Sequence, residues 1–377
     1  MIKEEKPIIS VVVPTHERVD LLKDLLDSLQ KAGFNCRTHI EVIIIDDSPP
    51  DQQEKIKSLC QIFQAQFLSG PPSVREKRNI GIREANGKII FFVDSDCIAS
   101  ENIFREHLEL YDKQDTAGVL GITEFVGNDT FMWKIVERTK FLDAFLFAKK
   151  LCNYVDSAPW GTCTNLSIRK DVLETVGGFD TRFPFKLGGD DADLGIRINK
   201  AGYKIKMNPN AVVYHTKETW NKFLAVARRA FRWGRMDYHL FYEKHKDKIS
   251  WTFPKPVTLF SFLLLLGFIK AIMNYMLFLS LPFIWLILFL ALNSLLIVKS
   301  SRASLKSIVF EMPAQFLHFL FDFGTILESL KSKKLSAFFK SPLDDPRQVI
   351  ILWDEKVREE WSIILSIVFI LFISIVI

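Results

Sequence analysis

Three short apolar runs near the start of this chain, each ending in polar residues, constrain its fold more than any other feature. Residues 8–13 (IISVVV) stop at Pro14-Thr15, residues 41–45 (EVIII) at Asp46-Asp47-Ser48-Pro49, and residues 89–93 (IIFFV) at Asp94-Ser95-Asp96. A run apolar on both faces suits a strand covered on each side of a sheet. Between the runs, residues 21–32, 52–67 and 73–85 carry helical patterning, the first stopped by Gly33 and the last by Gly87. Strand and helix alternating at this spacing predict βαβ units, an α/β fold with a mostly parallel sheet flanked by helices. Ligands bind such sheets beyond the carboxyl ends of the strands. All three polar clusters fall there.

No GxGxxG follows the first run, and no GxxxxGK[ST] occurs anywhere. The glycine-rich phosphate cradles of dinucleotide-binding and P-loop proteins are therefore missing. A phosphate on this sheet needs another counter-charge. In extended geometry Asp94 and Asp96 lean to one side. On the residues alone, two readings of the pair stay open. Either it caps the following turn, or it holds a divalent cation, since Mg²⁺ takes one or two carboxylates together with substrate phosphates.

Residues 188–202 (GGDDADLGIRINKAG) read as a Gly-Gly entry and a helix over 190–201 closed by Gly202. First-turn acids suit the helix macrodipole and often mean nothing more, which is the reading for Asp193. Asp190 and Asp191 are crowded carboxylates, and crowding raises a pKa toward the range where a base works near neutral pH.

The chain changes character near residue 250. Its mean hydropathy of +0.14 comes mainly from long apolar blocks beyond that point. A net charge of +5 is too small to argue for nucleic acid. Basic residues beside the apolar blocks point instead to a membrane surface. Five cysteines, an odd number without a CxxC pair, suit a reduced, cytosol-facing compartment. In residues 219–235, Trp220, Leu224, Ala227 and Phe231 share one helical face, and Arg228, Arg232 and Arg235 another. This helix either lies on an anionic membrane, with Arg228, Arg232 and Trp233 at the interface, or packs on the core with a solvated face. Residues 257–273, 275–298 and 361–377 are expected transmembrane helices, and 306–330 an interfacial or re-entrant one. Lys299, Arg302, Lys306, Lys331, Lys333 and Lys334 flank these blocks on one side, which the positive-inside rule makes cytoplasmic. The expected organisation is thus a catalytic domain over 1–216, interface helices over 217–250 and a membrane region over 251–377, with the catalytic domain in the cytoplasm.

Four ordered segments over about residues 7–235 resemble the family 2 inverting glycosyltransferases of the GT-A fold: SVVVPTHERVDLLKDLLDSL, EVIIIDDSPPD, REKRNIGIREANGKIIFFVDSD, and the stretch from GTCTNLSIRKD through LGGDDADLGIRINKAGY to AVVYH. The resemblance implies that Asp47 reads a uracil-like base edge with Asp46 in support, while Pro14, Thr15 and Glu17 line the nucleoside pocket. It puts Arg78 and Asn79 near base or phosphate. Asp94 would serve both nucleotide and metal, Asp96 would be the main metal ligand, and His215 would lie near metal or phosphate. Asp191 would be the general base and Asp190 its support, with Trp160, Gly161, Thr162 and Asn165 on the acceptor loop. Two departures stand out: Ser48-Pro49-Pro50 replaces the family's common Gly-Ser, and Asp190-Asp191 its common Glu-Asp.

The implied activity is membrane-bound sugar transfer from a UDP- or dTDP-type donor, with Mg²⁺ or Mn²⁺, to a lipid-linked glycan or polyprenyl phosphate. A processive polysaccharide synthase is the enzyme alternative. RRAFRWGR lacks the Gln of that group's QxxRW motif, and about three spanning segments are few for a pore. A non-catalytic membrane scaffold is the other alternative, and a scaffold has no need of Asp47, Asp94, Asp96 and Asp191 together.

Overall fold

Val11 and Val13 pack on one face of a sheet and Val12 on the other, all three fully buried, as a doubly covered strand requires. The computed structural model describes residues 8–112, 115–139, 141–184, 188–251, 255–273, 275–301, 303–342, 364, 365 and 367. These fall into two compact units: Met1–Asn128 with Leu142–Thr219, and Asp129–Phe141 with Trp220–Ile377.

The first unit carries strands β1 (Ile9–Thr15), β2 (Ile40–Asp46), β3 (Gln66–Ser69), β4 (Ile89–Phe92), β5 (Cys97–Ala99), β6 (Thr116–Val126), β7 (Leu166–Arg169) and β8 (Lys204–Thr216). They form one mostly parallel sheet in the order β3-β2-β1-β4-β7-β6-β8-β5. β1 pairs in parallel with β2 and β4, β2 with β3, and β6 with β8. β7 runs antiparallel between β4 and β6, and β5 antiparallel to β8. Leu22, Leu25 and Leu29, on the helix Val19–Cys36, cover the Val11 face. Ile82, Leu173 and Leu194, from three other helices, cover the Val12 face. The helix Val74–Glu84 comes very near β1 at Gly81, where a Cβ would lie 2.3 Å from Val12 Cγ1. That approach brings the first turns of the helix to the strand ends.

The helix expected over 52–67 is shorter in the structure. It ends at Ile62, Gln64 turns the chain with φ +54, and residues 66–69 form β3 at the sheet edge. The parallel ladder to β2 decides the conformation there, and helical patterning cannot register a partner strand. The short antiparallel strands β5 and β7 escaped the periodicity for the same reason.

In the second unit, the helix Phe223–Asp237 buries Val226, Ala227, Ala230 and Gly234. The apolar face expected through Leu224 is therefore rotated: Leu224 is exposed, and Trp220 sits in a short turn before the helix. The partner is the helix Ile308–Lys331, which is continuous through Pro313. Two glycines set this crossing. A Cβ on Gly234 would lie 1.7 Å from the Phe321 carbonyl oxygen, and one on Gly324 would lie 2.3 Å from that of Phe231. Arg235, expected on the polar face, reaches Glu328 at 2.5 Å, while Arg228 and Arg232 are exposed and Trp233 is half-buried. The helices Pro256–Ile272 and Leu281–Ser300 occupy the first two expected spans. Met276–Ser300, at 25 residues and mean hydropathy 2.5, is long and apolar enough to cross a bilayer, while Pro256–Ile272 is shorter. The expected span over 361–377 lies outside the described residues, apart from 364, 365 and 367.

Candidate active site

Charged side chains gather in three clusters where β1, β2 and β4 end. In the first, Thr15 and Asp46 are register partners, so the following loops leave the sheet side by side. Pro14 and Thr15 are buried at the end of β1, and Glu17, with φ +52, is exposed. Asp46 is fully buried and accepts from the Ser48 amide at 2.9 Å and the Ser48 hydroxyl at 2.7 Å. Ser48 Oγ accepts in turn from the Glu17 amide at 2.7 Å. Asp46 therefore builds the loop. Asp47 pairs with Lys77, stands 3.2 Å from His16 Nδ1, and is the carboxylate nearer solvent. Lys77 Nζ also donates to the Thr15 carbonyl at 2.5 Å, tying both loops to one cation.

The second cluster is centred on Arg78, which is buried. It donates to Asp190 Oδ2 at 2.6 Å and Asp94 Oδ1 at 3.3 Å, and lies 3.9 Å from Asp191 Oδ1. Consecutive left-handed glycines, Gly188 (φ +95) and Gly189 (φ +72), turn the chain into the helix Asp190–Lys200. Arg75 holds the Gly188 carbonyl at 2.5 Å. Asp190 is buried, whereas about a quarter of the Asp191 side chain stays exposed (25%). Asp191 Oδ2 accepts from the Cys163 amide at 3.1 Å. Burial and the neighbouring Asp190 charge push the Asp191 carboxyl up to about 7, against the pull of Arg78. Asp193 pairs with Arg197 at 2.9 Å within its own helix.

The third cluster contains Asp96. Residues 95–96 form a turn rather than extended strand, so the two acids of the DSD triplet find different partners. Asp94 gives one oxygen to Arg78 and the other to the Thr164 hydroxyl at 2.9 Å. Each Asp94 oxygen thus has one of these partners, and the partly exposed side chain keeps lone pairs for a further ligand. Asp96 faces Arg18 at 2.6 Å and His215 Nε2 at 3.4 Å. The β5–β8 ladder pairs Cys97 with His215, which is how positions so far apart in sequence meet.

Asp96 and His215 fit a divalent cation on two grounds. Asp96 Oδ1 is buried and has no hydrogen-bond partner among the described residues, a costly state for an acceptor. His215 Nδ1 lies 2.8 Å from the Thr216 carbonyl, which can only accept, so Nδ1 carries a proton and Nε2 is the nitrogen turned to Asp96. Cys97 Sγ shares the cluster. Burial pushes that thiol well above its ordinary value, and a protonated thiol is a poor ligand for a hard cation.

Two expected site residues serve the scaffold instead. Asn165 is fully buried, donates to the Ile122 and Ala211 carbonyls at 2.7 and 2.9 Å, and meets His107 Nε2 at 2.9 Å. It clamps strands rather than an acceptor. Asn79 spends both ends of its amide on the Phe179 backbone, each at 2.8 Å, and so fixes a loop rather than a base or phosphate. The rest of the expected acceptor loop lies over the helix Asp190–Lys200. A Cβ on Gly195 would come 2.4 Å from Trp160 Cβ, Gly161 stands against Leu120, and Thr162 is buried.

Arg75, Lys77, Arg18 and Thr164 were not expected. Six carboxylates at the strand ends (Asp46, Asp47, Asp94, Asp96, Asp190 and Asp191) need counter-charges. The first turns of VREKRNIGIRE, entering beside them, were the place to look.

A curled, mostly parallel sheet with these clusters at its strand ends is the architecture of a GT-A-like glycosyltransferase. The family described as glycosyltransferase-like family 2 matches residues 7–235, and the chain belongs to it. It is 24% identical over 252 residues to the probable glycosyltransferase YdaM of Bacillus subtilis, covering 62% of this chain and 56% of that protein. It is 23% identical over 279 residues to the O-antigen biosynthesis protein RfbC of Myxococcus xanthus, covering 66% and 20%. The chain thus spans less than two thirds of either relative. The mannosyltransferase PcManGT from Pyrobaculum calidifontis, solved with GDP-Man and Mn²⁺, shares the fold at a TM-score of 0.53 and 14% identity, covering 88% of this chain and 89% of that one.

Proposed function

We propose that the protein transfers a sugar, with inversion, from a nucleotide-diphosphate donor to a lipid-linked glycan or polyprenyl phosphate at the cytoplasmic face of a membrane. The observation that carries this reading is the state of Asp191: partly exposed, held by the Cys163 amide, and pushed up to about 7 beside a buried ion-paired acid. Such a carboxylate is matched to proton abstraction near neutral pH.

In this reading Asp191 takes the proton of the acceptor's attacking O–H, a sugar hydroxyl of a lipid-linked glycan or the P–OH of a polyprenyl phosphate monoanion. That oxygen forms its bond to the anomeric carbon from the face opposite the diphosphate, and the carbon–oxygen bond to the diphosphate breaks with its electron pair. A base beside the acceptor is all that one-step inversion asks of the protein, by the geometric logic of glycosidases. Arg78 donates to Asp190 and orients the acid pair. Asp47, beside Lys77, accepts from a base N–H and sits between the loops of Thr15 and Ser48; the expected lean to uridine or thymidine rests on it. Asp94 turns to the donor sugar, steadied by Thr164. Asp96 and His215 hold a divalent cation. When bound, that ion neutralises charge on the leaving diphosphate. PcManGT, which shares this fold, was solved with GDP-Man and Mn²⁺, in keeping with a nucleotide-sugar donor and a divalent metal here. The helix Met276–Ser300 supplies the membrane anchor.

The test is nucleotide-diphosphate release by the detergent-extracted protein across UDP-, dTDP- and GDP-sugars, with Mn²⁺, Mg²⁺ or EDTA, with and without a polyprenyl-phosphate acceptor. Metal-dependent release from one donor, raised by the acceptor, is the expected result. No release from any donor with lipid and acceptor supplied would overturn the reading.

A further inference from the structure

The second unit contains a cavity of about 740 Å³ that the sugar-transfer chemistry does not use. Its wall is built from the helix Phe131–Val136, from Leu290 midway along the helix Leu281–Ser300, and from Met312, Pro313 and Phe316 of the helix Ile308–Lys331. Among the described residues no charged side chain lines it. Of the polar lining groups, the Thr130 hydroxyl donates to Asn221 Oδ1 at 2.9 Å. A sugar, nucleotide or peptide would lose its hydrogen bonds to water here and gain few in return. The occupant that suits the lining is a hydrocarbon chain. Leu290 lies within the helix long enough to cross a bilayer, so a chain can enter from the membrane without crossing water.

A charge feature at the same helix narrows the class. Lys134 and Arg138 each stand 5.8 Å from the Phe310 ring, and that ring lies 5.1 Å from Phe131 of the cavity wall. Lys134 is exposed. Arg138 faces the buried Glu311 at 3.9 Å, so the cation offered beside this apolar slot is Lys134, which complements a tail that carries a phosphate as basic residues beside membrane segments do for anionic headgroups.

We propose that this cavity holds the isoprenoid chain of the phosphate-bearing lipid acceptor, with Lys134 toward the phosphate. The proposal rests on the lipid-acceptor reading above.

The experiment uses the full chain in nanodiscs and a benzophenone-labelled farnesyl phosphate, with cross-linked peptides read by mass spectrometry. Adducts are expected on the peptides bearing Phe131–Val136 and Met312–Phe316. Undecaprenyl phosphate should compete about tenfold better than phosphatidylglycerol, a difference of about 1.4 kcal/mol. Ile135→Trp and Met312→Trp, which fill the cavity, should remove the adducts, and Lys134→Gln should weaken competition by the phosphate-bearing lipid. Adducts elsewhere, no adducts at all, or equal competition by phosphatidylglycerol would each overturn the proposal, the last by making the cavity a groove for bulk lipid. Donor turnover into water, measured on the same samples, separates the two failures. If it persists in the filled variants the catalytic reading stands whatever the cross-links show, and if the wild type releases no nucleotide diphosphate even with lipid and acceptor supplied that reading fails on its own.

Discussion

Arg78 Nη1 donates to Asp190 Oδ2 at 2.6 Å, and the same nitrogen stands 3.9 Å from Asp191 Oδ1. One buried guanidinium therefore faces two adjacent acids unequally. Asp190 takes the direct bond and the burial, while Asp191 keeps an amide donor and an exposed edge. These different environments, with the Asp191 carboxyl pushed up to about 7, assign the proton-accepting role to Asp191.

The first prediction concerns pH. A base must be unprotonated, so kcat/KM should rise with pH through about 7 and level off above it. The Asp191 carboxyl sits above its unfolded value, so the folded protein binds more protons between the two. That group's contribution to stability is full below the unfolded value and is lost as pH rises through about 7. Asp191→Asn should therefore raise Tm at pH 8 relative to wild type while removing activity. Thermal melts at pH 5 and 8 check this, and a lower Tm for the variant at pH 8 would contradict it.

Mn²⁺ in hundredfold excess over its Kd should stabilise the protein by about 2.7 kcal/mol. Asp96→Asn and His215→Ala should each abolish most of that gain. Cys97→Ser should keep it, because a soft thiol sulfur contributes little to a hard, oxygen-preferring cation. Melts with and without metal distinguish these outcomes.

Asn165→Ala leaves two buried carbonyls and His107 without their partner. Each such group costs roughly 1–3 kcal/mol. Denaturant midpoints should fall accordingly, while the KM for acceptor in the surviving folded enzyme stays at the wild-type value. A raised acceptor KM at normal stability would return Asn165 to the acceptor site.

Gly234→Ala places a Cβ where the Phe321 carbonyl oxygen stands, so the two helices must separate. Overpacking of this kind typically costs about 1–3 kcal/mol. Leu224→Ala, exposed on the same helix, should cost far less. Equal losses of Tm for the two variants would mean that the close crossing contributes nothing.

The sheet was legible because Val11–Val13, Ile43–Ile45 and Ile90–Phe92 are apolar on both faces, a pattern that needs no partner to be read. The polar ends of those strands gave away the site for the same local reason. What stayed hidden depends on distant partners. β3 exists through its ladder to β2, and His215 reaches Asp96 only because β5 pairs with β8. Arg75 and Lys77 look like a solvated helix face, yet both are buried against carboxylates from other segments, beside Arg78, which was expected at the site. Asn79 and Asn165 failed in the opposite sense: each stands beside site residues in sequence but turns its amide to backbone elsewhere.

The most direct test of the central claim is to titrate wild type and Asp191→Asn with the donor found active, and to compare donor Kd with kcat and the anomeric configuration of the product. The account predicts an inverted product, donor binding unchanged in the variant, and kcat lowered by about 10²–10⁴, the usual worth of a general base. A retained anomeric configuration, or a variant that still turns over within about tenfold of wild type, about 1.4 kcal/mol, would contradict it.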